Sequence, residues 1–464
     1  MNPEFLSRLQ FTITASFHFI YPPISMGLGL ILVIMGILYV RTQNPVWRRL
    51  SFFWIKIYGL VFALGVATGI VQEFEFGTNW SEYSRFVGNI FGSLLAAEGI
   101  FAFFLEGGFL GLMLFGGNRV GPRLWLFSTV MVVFGAHFSA TWIIMANSWM
   151  QTPAGYELAQ TPYGTLAFMT SFPQVIMTPS FLARLWHTLV ASWLVGSSLV
   201  LSVSAYYLLK GRFEESARAA FKTALPVFVV FSIVQAALLG SQSAENVTDY
   251  QPEKLAAMEG VWEDTACAPM TLAGWVNPET QRTVGLKVPC LLSWLAGGST
   301  DTVIQGLNSV PRDEWAPVGW VFQSYHLMIV LGGLFVGIGL LGLLFAVWGE
   351  RIWRTRWLLR TFVSTIFLTE LATMTGWWTA ELGRQPWIVW GLMRVEDAVS
   401  PNLTTGQLLF SNAMFVLLYT LLFVLFIYLL NEKIMHGPEP VEEAAPIASL
   451  PDNFRDVFRR HARA

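Results

Sequence analysis

Long apolar runs separated by short polar segments dominate the chain. Nine runs reach the ~20 mostly apolar residues that a bilayer span needs. They fall at roughly 12–40, 52–73, 94–116, 124–148, 181–208, 223–240, 317–348, 361–380 and 409–430. Each run reads as continuous, which predicts helices rather than the short alternating strands of a barrel. Two stretches break the pattern. Residues 241–316 mix Pro, Gly, Trp and charge, and a loop this long is commonly functional or disordered. Residues 431–464 are polar, with a Glu/Pro/Ala stretch and a basic end at Arg459, Arg460 and Arg463. The expected organisation is therefore six spans in 1–240, an outer loop in 241–316, three spans in 317–430 and a cytoplasmic tail in 431–464. No repeat of fixed period is visible.

Composition agrees with this pattern. Of 464 residues, 54% are hydrophobic and only 12% charged, with mean hydropathy +0.53. A soluble domain carries about 25% charged residues. Disorder, a disulfide-rich secreted fold and a collagen-like chain are excluded, and a net charge of −2 gives no support for nucleic-acid binding. The fold class is an all-α integral membrane protein of about nine transmembrane helices.

The basic residues orient it. Of 28 Lys and Arg, 19 lie in the tail and on the side of the loops after spans 1, 3, 5 and 7, among them Arg41, Arg48, Arg49, Lys210, Arg212, Arg351, Arg354, Arg356 and Arg360. The positive-inside rule then places the N-terminus outside and the C-terminus in the cytoplasm. The N-terminal residues lack the basic region and small-residue cleavage site of a removable leader. Both cysteines, Cys267 and Cys290, fall in the outer loop, where an oxidising compartment favours a disulfide over two free thiols.

Ionisable groups inside spans are costly, so each raises a functional question. Those singled out are His18, Glu98, Glu106, His137, His187, His326 and, at a span end, Glu381. His18, His187, Met328 and Glu381 share a similar depth toward the outer face on four different helices. Haem iron accepts His and Met as axial ligands. A His and a Met from two helices make a six-coordinate electron-transfer haem, whereas a lone His or carboxylate leaves a position open for a small ligand such as oxygen. Each residue also has a bland alternative: a hydrogen-bonded core histidine, a gap-filling methionine, or a carboxylate at the wet interface. His137 shows no partner and reads as structural. Glu98 and Glu106 are eight residues apart on one helix, hence on one face and ~12 Å apart in depth. They suit a stepped proton relay, or else two neutral structural carboxyls. In the outer loop, Lys254 and Glu259 are five apart, either a solvated helix face or the hydrogen-bonding and proton-accepting pair that a quinol needs.

Several stretches resemble subunit I of the cytochrome bd quinol oxidases. They are Ser7-Arg8-Leu9-Gln10-Phe11 with His18, Gly77-Thr78-Asn79-Trp80, Glu98-Gly99 with Phe103-Phe104-Leu105-Glu106, and Ala146-Asn147-Ser148-Trp149-Met150-Gln151. The run from Lys254 through Glu259 with Trp262 also matches, as does Glu381-Leu382-Gly383-Arg384-Gln385-Pro386-Trp387. The resemblance spans almost the whole chain in order. It implies His187 and Met328 as axial ligands of a low-spin haem b558. It implies His18 and Glu381 as ligands of two high-spin haems, with His18 assigned to haem d and Glu381 to haem b595. It also implies Glu98 at the oxygen-reducing pair, with Glu106 on its proton path. Trp377 and Arg384 line the haem cluster, Arg384 toward a propionate. Lys254 and Glu259 belong to a quinol site. Subunit II, a small single-span subunit, ubiquinol or menaquinol, oxygen and the bacterial cytoplasmic (inner) membrane follow as implied partners and location.

The implied activity is a terminal oxidase that oxidises quinol outside and reduces oxygen to water with cytoplasmic protons, separating charge without pumping. Copper is not expected, since no cluster of several histidines occurs. Two departures stand out. The outer loop is short, as in the family's short-loop branch, and His326 stands where some relatives carry Arg. The stretch Ile388-Val389-Trp390-Gly391-Leu392 looks like the cyanide-insensitive branch. The competing functions are a cytochrome b that passes electrons onward without touching oxygen, a non-redox transporter and a haem-free scaffold.

Overall fold

The computed structural model describes residues 2–117, 119–348 and 351–438. The helices in chain order are α1 (Pro3–His18), α2 (Tyr21–Thr42), α3 (Pro45–Thr78), α4 (Ser81–Ala97), α5 (Phe104–Phe115), α6 (Pro122–Gln151), α7 (Phe172–Ile176), α8 (Phe181–Lys210), α9 (Glu214–Val234) and α10 (Gly240–Tyr250). They continue with α11 (Pro252–Glu259), α12 (Leu291–Gly297), α13 (Val318–Val347), α14 (Arg356–Leu382) and α15 (Thr405–His436). Among the described residues, eight helical stretches are long and apolar enough to cross a membrane. The remaining expected span, 361–380, lies in the 27-residue α14, whose threonines and Glu370 lower its apolarity. The tail beyond residue 438 lies outside the described residues, and α15 carries helix to His436, past the expected span end at 430.

Three runs expected as continuous are interrupted. The first splits into α1 and α2 around Phe19 and Ile20. Pro22 and Pro23 lack the N–H groups that would bond the carbonyls of His18 and Phe19, so the ladder fails directly after His18. A π-helical segment, Glu98–Phe103, joins α4 to α5, and another, Gln235–Leu239, joins α9 to α10. Such bulges recur at functional sites. The second carries helix to Tyr250, ten residues past the expected span end at 240.

The centre of the bundle is α8, buried on most sides and packed against α2, α9 and α14. Its contact with α2 is backbone on backbone: a Cβ on Gly196 would stand 1.9 Å from the Gly27 carbonyl carbon. Small residues at such crossings let membrane helices approach closely. At the periphery, α15 keeps most of its apolar face uncovered.

The outer loop is a packed structure. Its helix α11 sets Ala256, Ala257 and Met258 against Val321, Phe322 and Tyr325 of α13. Gly260 ends that helix at φ +65, a left-handed position that glycine adopts without a Cβ penalty. Four antiparallel two-stranded sheets lie in the loops. Strands β1 (Tyr156–Thr161) and β2 (Gly164–Met169) pair between α6 and α8, while β3 (Thr265–Ala266) pairs with β6 (Val303–Ile304). Strand β4 (Met270–Asn277) pairs with β5 (Arg282–Val288), and β7 (Trp387–Val389) with β8 (Met393–Arg394). Cys267 and Cys290 are disulfide-bonded.

Candidate functional site

The C-terminal end of α14 gathers several of the residues singled out. A Cβ on Gly376 would stand 2.8 Å from the Met328 sulfur, so glycine there makes room for the thioether. Trp377 stacks on Phe19, centroids 5.2 Å apart, and Trp378 donates through Nε1 to Ser16 Oγ at 3.0 Å. These contacts set Met328, and Ser16 and Phe19 on either side of His18, against the last two turns of α14. Glu381 accepts from Asn147 Nδ2 at 3.0 Å on one oxygen and from Arg384 Nη2 at 2.7 Å on the other. Arg184 in turn donates to Asn147 Oδ1, which ties α8 into the cluster. His187 lies three residues beyond Arg184 on α8, and Gln235 of the second π-helical segment donates to its carbonyl at 3.1 Å.

Donor chemistry tests whether these residues suit a haem. His18 Nδ1 lies 2.9 Å from Thr68 Oγ1; with the Thr68 hydroxyl turned to the Leu64 carbonyl at 2.7 Å, Nδ1 donates to Thr68. That tautomer leaves Nε2 with a free lone pair for a metal, the usual arrangement of a ligating histidine. Gly69 leaves space for the ring: a Cβ there would stand 3.1 Å from His18 Cε1. His187 Nδ1 is buried without a partner, as are Arg384 Nη1 and Arg184 Nε. Unpaired guanidinium donors suit an anion such as a propionate. Each Glu381 oxygen keeps capacity for one more bond beyond the donor it already has. The donor set fits haem. By contrast, His137 accepts from Trp193 Nε1 at 2.9 Å and faces the Val133 carbonyl through Nδ1, which spends both nitrogens. His326 directs its nitrogens at the carbonyls of Phe322 and Thr271, both at 2.8 Å.

Helix α6 orders the polar groups along the bundle. Gly135 packs against Glu106, a Cβ there standing 3.0 Å from the Glu106 Cβ. Ser139 Oγ donates to Glu98 at 2.6 Å, Asn147 reaches Glu381, and Gln151 Oε1 accepts from Lys254 Nζ at 3.2 Å. These α6 positions follow at intervals of four, eight and four residues, a slowly winding stripe with rises of ~6, ~12 and ~6 Å. Both residues of the expected relay therefore touch α6, Glu98 through its carboxyl and Glu106 through its Cβ and backbone, although the first π-helical segment interrupts the straight α-helix assumed for them. Glu106 also accepts from Tyr58 OH at 3.3 Å.

Lys254 and Glu259 do not meet. Five residues on α11 separate their directions by ~140°. Lys254 Nζ donates to the Ala380 carbonyl at 2.9 Å, beside Glu381, and to Gln151. Glu259 turns to β4 and α13, where it accepts from Thr271 N–H at 3.4 Å and lies beside Tyr325. Burial pushes the Lys254 ammonium well below its usual range, and the nearby Arg184 guanidinium adds to the effect. Burial pushes the Glu259 carboxyl up to about 7, against the Thr271 hydrogen bond.

Arg184, Asn147, Gln151 and Glu370 were not singled out from sequence. Arg184 and Glu370 stand inside expected spans and carry the same signal as the others; Asn147 and Gln151 sit in a family-like stretch, but nothing local announces their partners.

Residues 6–438 match the family model for cytochrome bd terminal oxidase subunit I. The chain is 35% identical over 509 aligned residues to cytochrome bd-II ubiquinol oxidase subunit 1 of Escherichia coli, covering 95% of this chain and 98% of that one. It is 34% identical over 450 residues to cytochrome bd ubiquinol oxidase subunit 1 of Bacillus subtilis, covering 95% of each. The solved bd oxidase of Geobacillus thermodenitrificans superposes with TM-score 0.87 at 28% identity, over 94% of this chain and 99% of that one.

Proposed function

Because the chain belongs to the cytochrome bd terminal oxidase subunit I family of membrane quinol:oxygen oxidoreductases, we propose that it carries the haems of a bacterial inner-membrane oxidase and both ends of its proton traffic. The observation that carries this reading is the α6 stripe, which sets Glu106, Glu98, Glu381 and Lys254 in series.

Bound haem supplies the one-electron steps and the iron at which oxygen is reduced. His187 and Met328 hold the low-spin haem b558. His18, with its Nε2 lone pair free, holds haem d, and Glu381 holds haem b595. Arg384 and Arg184 fix the Glu381 carboxylate directly and through Asn147, and turn their spare N–H donors to propionates. Trp377 walls the cluster against Phe19. Glu106 takes protons from the cytoplasmic side and passes them to Glu98, with Tyr58 and Ser139 holding the two carboxyls in place.

Quinol docks at the outer loop. Glu259 accepts a quinol proton and releases it outside; Lys254 hydrogen-bonds the quinol oxygen from the face next to Glu381. Two quinols deliver the four electrons, and four cytoplasmic protons complete two waters, so charge separates without a pump. The N-terminus lies outside and the C-terminus in the cytoplasm. Subunit II and a small single-span subunit complete the assembly, with ubiquinol or menaquinol as donor.

A reduced-minus-oxidised absorption spectrum of the purified complex, with pigment extraction, tests this. A far-red chlorin band beside b-type bands is expected. Only b-type bands remove haem d from the His18 pocket; no haem at all overturns every ligand named here.

A further inference from the structure

A carboxyl that the α6 stripe does not include sits on α14. Both oxygens of Glu370 are buried, and neither has a hydrogen-bond partner. The other buried carboxyls of the membrane-spanning helices are tied. Glu75 accepts from Gln10 at 3.1 Å and Thr14 at 2.6 Å, Glu98 from Ser139, Glu106 from Tyr58, and Glu381 from Asn147 and Arg384. Among the described residues, Glu370 is the one carboxylate side chain with both oxygens buried and unpartnered. A structural role ties a carboxyl down, because an orphaned buried oxygen forfeits its hydrogen bonds. An untied carboxyl is free to exchange partners, which is what a proton carrier does.

Position gives the direction of transfer. Seven residues separate Glu370 from Trp377 and eleven separate it from Glu381, so all three share one flank of α14 within ~20° of Glu370. Glu370 lies ~10 Å of rise from Trp377 and ~16 Å from Glu381, toward the N-terminal end of the helix. That end begins at Arg356, on the side the basic loops mark as cytoplasmic. This flank differs from the one that meets α8, where Thr369 pairs with Ser198 at 2.6 Å.

We infer that Glu370 carries cytoplasmic protons along α14 toward the oxygen-reducing site, a second route beside Glu106 and Glu98. The inference rests on the oxidase reading above. Glu370 in its acid form gives its proton past Trp377, on the same flank of α14, to oxygen being reduced by quinol-derived electrons, and takes the next proton from the cytoplasmic side. It is regenerated each time.

The test compares E370Q and E370D with wild type in the assembled oxidase. The readouts are the haem spectrum, quinol-driven oxygen uptake, the rate at which quinol reduces the low-spin haem, and the carboxyl C=O bands of redox-difference infrared spectra. E370Q should keep the haem spectrum and the reduction rate, lose one carboxyl band, and slow oxygen uptake by at least about tenfold. E370D, which keeps a carboxyl, should recover most of the uptake. Wild-type uptake in E370Q with no band lost overturns the inference. So does an E370Q complex without haems, which makes Glu370 structural. A wild-type complex without haem brings down instead the oxidase reading beneath it.

Discussion

The C-terminal end of α14 and the loop helix α11 both bury ionisable side chains, and they treat them in opposite ways. At α14 charge meets charge: Arg384 pairs with Glu381 at 2.7 Å, and Arg184 joins through Asn147. Donors are also left over there, on Arg384 and Arg184. On α11, Lys254 and Glu259 are 3% and 2% exposed, and neither forms an ion pair among the described residues. Lys254 gives its hydrogens to neutral oxygens, and Glu259 takes one long backbone bond. A fixed, paired cluster with spare donors suits a permanent anionic cofactor. Two groups whose charged forms burial disfavours are poised to change protonation with a visiting substrate.

The largest effect should come from breaking the α14 side. His187→Ala should abolish the low-spin haem bands and lower quinol oxidation by more than about 100-fold, since changes one shell further out already cost ~10–100-fold in metal affinity. Normal b-type bands in that variant would remove His187 from the ligand set.

The α11 side should instead show itself in pH dependence. Burial disfavours the charged form, so Glu259 stays an acid up to about 7 and becomes a proton acceptor only above it. The quinol kcat/KM should therefore rise as pH climbs through about 7. Glu259→Gln should flatten that rise and lower kcat/KM by ~10² or more, with the haem spectrum intact. A pH profile unchanged in Glu259→Gln makes the residue a bystander.

The contrast between the two regions was only partly legible in the sequence. A charge or imidazole inside an apolar run stands out, which is why His18, Glu98, Glu106 and His187 could be named. The break after His18 was written in Pro22 and Pro23, but hydrophobic patterning does not count lost N–H donors. Lys254 and Glu259 looked like a pair because five residues is close in sequence; on a helix it is most of a half-turn. Arg184 carries the same signal, but its role shows only in its contact with Asn147, which joins residues 37 apart. Tertiary partners of this kind leave no local periodicity to read.

A subtler break leaves every ligand in place. Thr68→Val keeps the volume beside His18 but removes the oxygen that receives its Nδ1 proton. The ring then loses its fixed tautomer, and the haem at His18 should bind about tenfold more weakly, read as faster haem loss in detergent. Unchanged retention would mean that Gly69 and the packing around it, rather than Thr68, orient the ring.

The smallest expected effect separates the regions most cleanly. The Cys267–Cys290 bond closes a loop with a sequence separation of 23, and closing a loop of that order constrains the unfolded segment by about 3 kcal/mol. Yet α11 is held independently, by Ala256, Ala257 and Met258 against α13 and by Lys254 against Ala380. Replacing both cysteines with alanine should therefore speed limited proteolysis of residues 261–310 and leave kcat and the haem spectrum as they are. If the haem bands shift as well, the loop and α14 are one mechanical unit. The Lys254–Ala380 hydrogen bond would then transmit the state of the loop to Glu381, rather than merely holding the loop against the helix.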